Sequence, residues 1–133
     1  MVYFELLMKV RDYECDMQGI VNNSIYLNYL EHTRHEFLID AGVRFADLQA
    51  LNVVPVVARV EIDYKTSLRS GDEFISKMKV VKSGIKHVFY QEIYRKSDRK
   101  LSVKAKVDVV TMIDGKLTRG EYFDHIFPGL ENE

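Results

Sequence analysis

A chain of 133 residues with 19 basic and 20 acidic side chains has a formal net charge of −1 and lacks the basic excess of a nucleic-acid binder. Its length suits one domain, and its 47% hydrophobic content is too high for a disordered chain. A single cysteine, Cys15, excludes an intrachain disulfide, and no apolar run approaches the ~20 residues of a membrane span.

The opening MVYFELLMKVRDYE carries charge too early for a secretory signal, so a soluble cytoplasmic chain is expected. Val2, Phe4, Leu6, Met8 and Val10 alternate with Tyr3, Glu5, Leu7, Lys9 and Arg11, the period of a strand. Asp12 to Gly19 has no period and reads as a loop, in which Gly19 is free to take the positive φ of a sharp turn. Over NNSIYLNYLEHTRHEFLIDAG, Tyr26, Leu30, Thr33, Phe37 and Ala41 recur at helical spacing, flanked by Ile25, Tyr29 and Leu38. Asn28, His32, His35 and Glu36 fall on the other side. Asn22, Asn23 or Ser24 offers a capping side chain and Gly42 a left-handed stop, giving a helix of roughly five turns. A shorter helical turn is expected from Phe45 to Leu51.

Alternation then resumes. Val54, Val56, Ala58, Val60, Ile62 and Tyr64 oppose Arg59, Glu61, Asp63 and Lys65 in a long second strand. Ser70-Gly71-Asp72 is a turn, and Phe74, Met78 and Val80 line a third strand that ends at Ser83-Gly84. Ile85 to Arg95 forms a fourth strand, leaving through Ser97-Asp98. Leu101, Val103, Ala105, Val107 and Val109 against Ser102, Lys104, Lys106 and Asp108 form the fifth, and Asp114-Gly115 turns toward a frayed C-terminus. Strands joined by short turns are antiparallel, so this order predicts an α+β fold: one five-stranded antiparallel sheet with a long helix across it, in a single domain over 1–133.

The segment YECDMQGIVNNSIYLNYLEHTRHEFL resembles the signature of single hot-dog thioesterases of the 4-hydroxybenzoyl-CoA thioesterase superfamily. The shared pattern is an Asp, a turn ending in Gly, a Val-Asn-Asn step, then Tyr-x-x-Tyr-x-Glu-x-x-Arg along the helix. Here it is Asp16, Gly19, Val21-Asn22-Asn23, Tyr26, Tyr29, Glu31 and Arg34. DYKTSLRSGDEF resembles the family's turn between second and third strands. The resemblance implies a hot-dog fold and hydrolysis of an acyl-CoA or acyl-carrier-protein thioester, without a cofactor. It implies a homodimer or homotetramer with active sites at the subunit boundary. Asp16 takes the place of the catalytic carboxylate and Asn23 that of the residue whose backbone N–H polarises the carbonyl. Gly19, Val21, Asn22, Tyr26 and Glu31 fall at substrate-facing positions, and Arg69, Lys82 and Lys86 at strand ends where relatives hold coenzyme A phosphates. Many bacterial relatives have His where Asn23 stands. Plant-type acyl-carrier-protein thioesterases resemble Asp-x-Asn-x-His-Val-Asn-Asn, where this chain has Gln18 and Ile20. No histidine base is therefore present in the loop, which favours a single-carboxylate mechanism.

The chemistry fits the residue types. A helix N-terminus offers free N–H groups and a positive dipole end to a developing oxyanion, and a nearby carboxylate can activate water or attack directly. Asp16 as a plain loop acid is the structural alternative. Glu31 is equally suited to an ion pair with Arg34 or His35. His32, His35 and Glu36 are read as a solvated face rather than a metal site, His87 as an exposed strand residue, and Cys15 as a packed thiol. No Gly-rich phosphate loop is present. A hot-dog dehydratase is disfavoured because Ile20 replaces its histidine. A hot-dog DNA-binding repressor is disfavoured by the acidic balance and the strand at the start; a non-catalytic acyl-CoA-binding protein stays as the alternative.

Overall fold

The first strand, β1 (Val2–Lys9), follows the alternation in its sequence: Tyr3, Glu5, Leu7 and Lys9 are exposed, and Phe4, Leu6 and Met8 are half-buried. The computed structural model describes residues 2–133, without the side chain of Val2. The chain then crosses the sheet in α1 (Asn23–Asp40), turns through α2 (Phe45–Ala50), and returns in β2 (Val53–Tyr64). Strands β3 (Glu73–Ser83), β4 (Lys86–Arg95) and β5 (Leu101–Ile113) follow as antiparallel neighbours. A two-residue strand, β6 (Lys116–Leu117), pairs with β5, and a single turn of helix, α3 (Glu121–Asp124), follows. The five long strands lie in the order β1-β3-β4-β5-β2, so β1 and β2 are the edges.

Helix α1 starts after Asn22, whose backbone is extended at φ −63°, ψ 143°. No side chain caps this end, contrary to the expected Asn or Ser cap, so the first N–H groups stay open. Gly42 ends the helix with φ +89°, a value that costs glycine little. Tyr26, Tyr29, Leu30, Thr33, Phe37 and Leu38 are buried against the sheet. They meet two apolar clusters. One gathers Tyr26, Tyr29 and Leu30 with Val10, Phe74, Ile93 and Val103; the other gathers Phe37 and Leu38 with Phe89, Val107, Phe123 and Phe127. Between them runs a polar belt. The Thr33 and Ser76 hydroxyls are 2.7 Å apart, and Gln91 accepts from Arg34 Nη1 at 2.9 Å while donating to the Leu30 carbonyl at 3.1 Å.

Two expectations change here. In β2 the pairing with β5 slips by one residue: Val57 faces Val109, yet Arg59 faces Asp108, leaving Ala58 as a bulge. Val54 and Val56 therefore do not share a face with Val60, Ile62 and Tyr64, because a bulge reverses the period-two alternation beyond it. The C-terminal segment is not frayed. Phe123 and Phe127 are buried, and the Lys82 backbone bonds Glu131 and Glu133 at 2.9 and 2.8 Å. Two aromatic side chains driven into the core outweigh the entropy of a loose end.

Candidate active site

The loop before α1 is closed upon itself. Cys15 and Val21 form an antiparallel bridge, and the Asp16 N–H donates to the Ile20 carbonyl at 2.9 Å. Gly19, at φ +78°, makes the turn and donates its N–H to the Asp16 carbonyl at 3.0 Å. A second bridge, Ile20 to Arg69, ties the loop to the β2–β3 connection. Glu14 is buried and anchors the base. Its Oε1 accepts from Tyr29 OH and from the Arg11 N–H at 2.8 Å each, and its carbonyl accepts from the Asn22 N–H at 3.2 Å. Tyr26 OH accepts from the Leu68 N–H at 2.9 Å. Sequence reasoning missed Glu14; its signal was only a charge between two other acids, with nothing to mark it as buried.

Asp16 is exposed at the turn of this loop. Its Oδ1 accepts from the Gln18 N–H at 2.8 Å and from the Ile20 N–H at 3.4 Å, an Asx-type turn that fixes the carboxylate's direction. Among the described residues Oδ2 has no partner and is open to water or to an electrophile. Two residues past the Val21 bridge, Asn23 begins α1, with its own N–H free of backbone partners and its carbonyl taking Tyr64 OH at 3.3 Å. An open carboxylate oxygen and open helix N–H groups thus belong to one tight loop and the helix it feeds. Val21 and Tyr26 are buried, so they shape the site from beneath, whereas Gly19 is half-buried and Asn22 and Asn23 are exposed. Burial, with the neighbouring Asp16 charge, raises the Cys15 thiol, which keeps it protonated and poorly nucleophilic.

The other sequence candidates scatter. Glu31 is exposed on α1, forms no ion pair among the described residues, and lines a cavity with Arg34 and His35. This cavity, about 120 Å³, lies between α1 and the sheet and is walled mainly by Leu38, Pro55, Val57, Phe89, Phe123 and Phe127. Asp16 and Asn23 are not in its walls. His32 pairs with Glu36 at 3.8 Å. Of the three basic residues matched to phosphate positions, only Arg69 has an exposed side chain without an ion pair among the described residues. Lys86 reaches Asp108 at 3.1 Å. Lys82 is 8% exposed, facing inward, where its ammonium bonds Asp124 Oδ2 at 2.6 Å and the Arg119 carbonyl at 2.8 Å. It cannot reach an outside phosphate. His87 likewise is 2% exposed rather than on the surface: its Nε2 bonds Asp124 Oδ1 at 2.8 Å. Both sit on inward positions of their strands, paired across β3 and β4 as Lys82 opposite His87.

A curled antiparallel sheet with one long helix against it, and an acid loop opening that helix, defines a hot-dog protein. The chain belongs to the thioesterase-like superfamily, which it matches over residues 10–120. It is 28% identical over 114 residues to the chloroplastic acyl-acyl carrier protein thioesterase ATL3 of Arabidopsis thaliana, covering 86% of this chain and 60% of that protein. It therefore spans less than two thirds of that relative's length. A putative acyl-CoA thioesterase, YneP of Bacillus subtilis, is 30% identical over 99 residues, covering 74% of this chain and 71% of its own. In fold it is similar to 4-hydroxybenzoyl CoA thioesterase from Pseudomonas sp. strain CBS-3, with a TM-score of 0.79 at 14% identity over 89% of this chain and 91% of that one. Among the described residues no helix is long and apolar enough to cross a membrane.

Proposed function

We propose that the chain hydrolyses an acyl thioester of coenzyme A, with Asp16 as the reacting carboxylate and the N–H groups at the start of α1 as the oxyanion site. The reading is carried by one juxtaposition: Asp16 Oδ2 is left open while Oδ1 is pinned by the loop, and the uncapped end of α1 follows directly. Asp16 takes a proton from water as the hydroxide adds to the thioester carbon, or it adds directly and forms an anhydride that water then opens. In either case the C–S bond breaks, the thiol leaves with a proton, and the developing oxyanion is met by N–H donors and the helix dipole. Of Arg69, Lys82 and Lys86, Arg69, tied to the loop through Ile20, is the one suited to a coenzyme A phosphate.

The same proposal includes a second copy along β2. That edge strand is exposed on both faces, with Val54, Val56, Val57 and Val60 36–47% exposed, while β1 has one face covered. An unpaired apolar edge is a ready template for another strand, and a two-fold pair closes it. An acyl-carrier-protein thioester is the alternative substrate, favoured by similarity to the Arabidopsis thioesterase. The deciding experiment is a thiol-release assay across acyl-CoA and acyl-carrier-protein thioesters of graded length. Turnover of a coenzyme A thioester supports the first reading; turnover confined to carrier-protein thioesters shifts it to the second. No turnover of any thioester overturns both.

A further inference from the structure

We propose, resting on the thioesterase reading, that the cavity beside α1 receives the distal part of the acyl group and selects a hydroxyl there, with His87 Nδ1 as its acceptor. The walls are mainly apolar and fit a hydrocarbon, with Glu31, Arg34 and His35 along α1, and His87 stands among the apolar ones with Phe123 and Phe127 edge-on at 6.2 and 5.4 Å. Its Nε2 is committed to Asp124, and its Nδ1 makes no hydrogen bond among the described residues. Asp124 also holds the ammonium of Lys82, so the carboxylate is charged and Nε2 carries the proton it shares. Burial keeps the imidazole neutral against the pull of Asp124. That tautomer leaves a bare lone pair on Nδ1, which calls for a donor: a hydroxyl answers it and a carbonyl or methylene does not.

The ring is also fixed in place. A Cβ on Gly120 would stand 3.0 Å from His87 Cε1 and 3.1 Å from Lys82 Nζ, so the backbone of the C-terminal segment clamps the cluster from one side. A clamped acceptor among the apolar walls of the pocket discriminates well, because a substrate without the donor leaves the nitrogen unpaired and out of water. Glu31, one of the lining residues, lies eight residues beyond Asn23, roughly 12 Å of helix rise. The part of α1 that lines the cavity is therefore about two helical turns past the proposed oxyanion site.

The test uses thioether analogues of acyl-coenzyme A, which bind but cannot be hydrolysed. Pairs of equal length, with a hydroxyl or a methyl at the far end, are titrated calorimetrically into the parent and into His87→Phe. The parent should bind the hydroxylated member about tenfold tighter, the scale of one buried hydrogen bond. His87→Phe should lose the preference between the two members. As a measure independent of that variant's folding, the Nδ1 nitrogen resonance of His87 in the parent should shift with the hydroxylated analogue only. Equal binding of both members, no binding of either, or an unmoved Nδ1 resonance overturns the proposal. Hydrolysis assays on the same chain lengths separate the two readings. Turnover without hydroxyl preference sinks this one alone, and bound analogues without any thioester turnover sink the thioesterase reading.

Discussion

Asp16 and Glu14 sit two residues apart and do opposite work. The Asp16 carboxylate is exposed with one oxygen open, whereas Glu14 is buried and saturated by Tyr29 and Arg11. Asp16→Asn keeps the acceptor for Gln18 and Ile20 but removes charge and basicity, so kcat should fall by at least ~100-fold. Thermal melting should barely move, since exposed substitutions typically change stability by under about 0.5 kcal/mol. Asp12→Asn, whose side chain among the described residues bonds only the neighbouring Tyr13 N–H, serves as the control and should stay within a few-fold of the parent rate. Parent-like turnover by Asp16→Asn would contradict the assignment. Tyr29→Phe removes a donor from the buried Glu14 carboxylate and should cost about 1–3 kcal/mol in urea unfolding. An unchanged midpoint would show that Glu14 does not anchor the loop through this bond. Asp16 and Asn23 were singled out in the sequence through the resemblance of the loop and helix motif, and their roles are part of the proposal. Glu14 was hidden, since its role depends on Tyr29, fifteen positions away, turning toward it.

At the level of elements, strand and helix periods were readable wherever one face is dry and the other wetter, as in α1 and β3. The polar belt of Thr33, Ser76 and Gln91 was not, because the buried polar groups satisfy one another only across elements. The same holds for Lys82 and His87, which read as surface residues until α3 brings Asp124 onto them. This cluster makes stability depend on pH. Burial lowers the His87 pKa from its ordinary 6.5, so the unfolded chain takes up the proton first as pH falls. Asp124 adds a loss at lower pH: burial opposes its charge, but hydrogen bonds from Lys82 and His87 prevail, and its pKa lies below the ordinary 3.8. Melting temperature should therefore decline from pH 7.5 to 5.5, and His87→Phe should flatten that decline. A parent profile flat over this range would mean that His87 is not held neutral by the fold.

For the whole molecule, both edge strands pair on one side only, but β1 has one face covered whereas β2 is exposed on both. If a second copy pairs along β2, light scattering at micromolar concentration should give a dimer or a multiple of it. Val56→Lys with Val57→Lys should reduce it to a monomer, by placing charge on both faces of the edge. A parent that is monomeric and still hydrolyses thioesters would rule out sites shared between copies. The alternation and the small sheet suggested an open apolar edge but did not single out β2, because they assigned Val54 and Val56 to the same face as Val60.

The bulge at Ala58 turns chain length in β2 into a matter of parity. Before it, the residues facing inward carry odd numbers, from Val53 to Val57; after it they carry even numbers, from Val60 to Tyr64. Removing one residue elsewhere in the strand would turn every side chain between that point and the bulge, or beyond it, to the wrong side. Removing Ala58 itself would bring Val57 and Arg59 into consecutive register against Val109 and Asp108, with no side chain reversed. A chain lacking Ala58 should therefore fold, with a straighter edge, and one lacking Val60 should not, a contrast that circular dichroism and melting can read directly. Within β2, Ala58 is the position where the strand can lose a residue and keep its meaning.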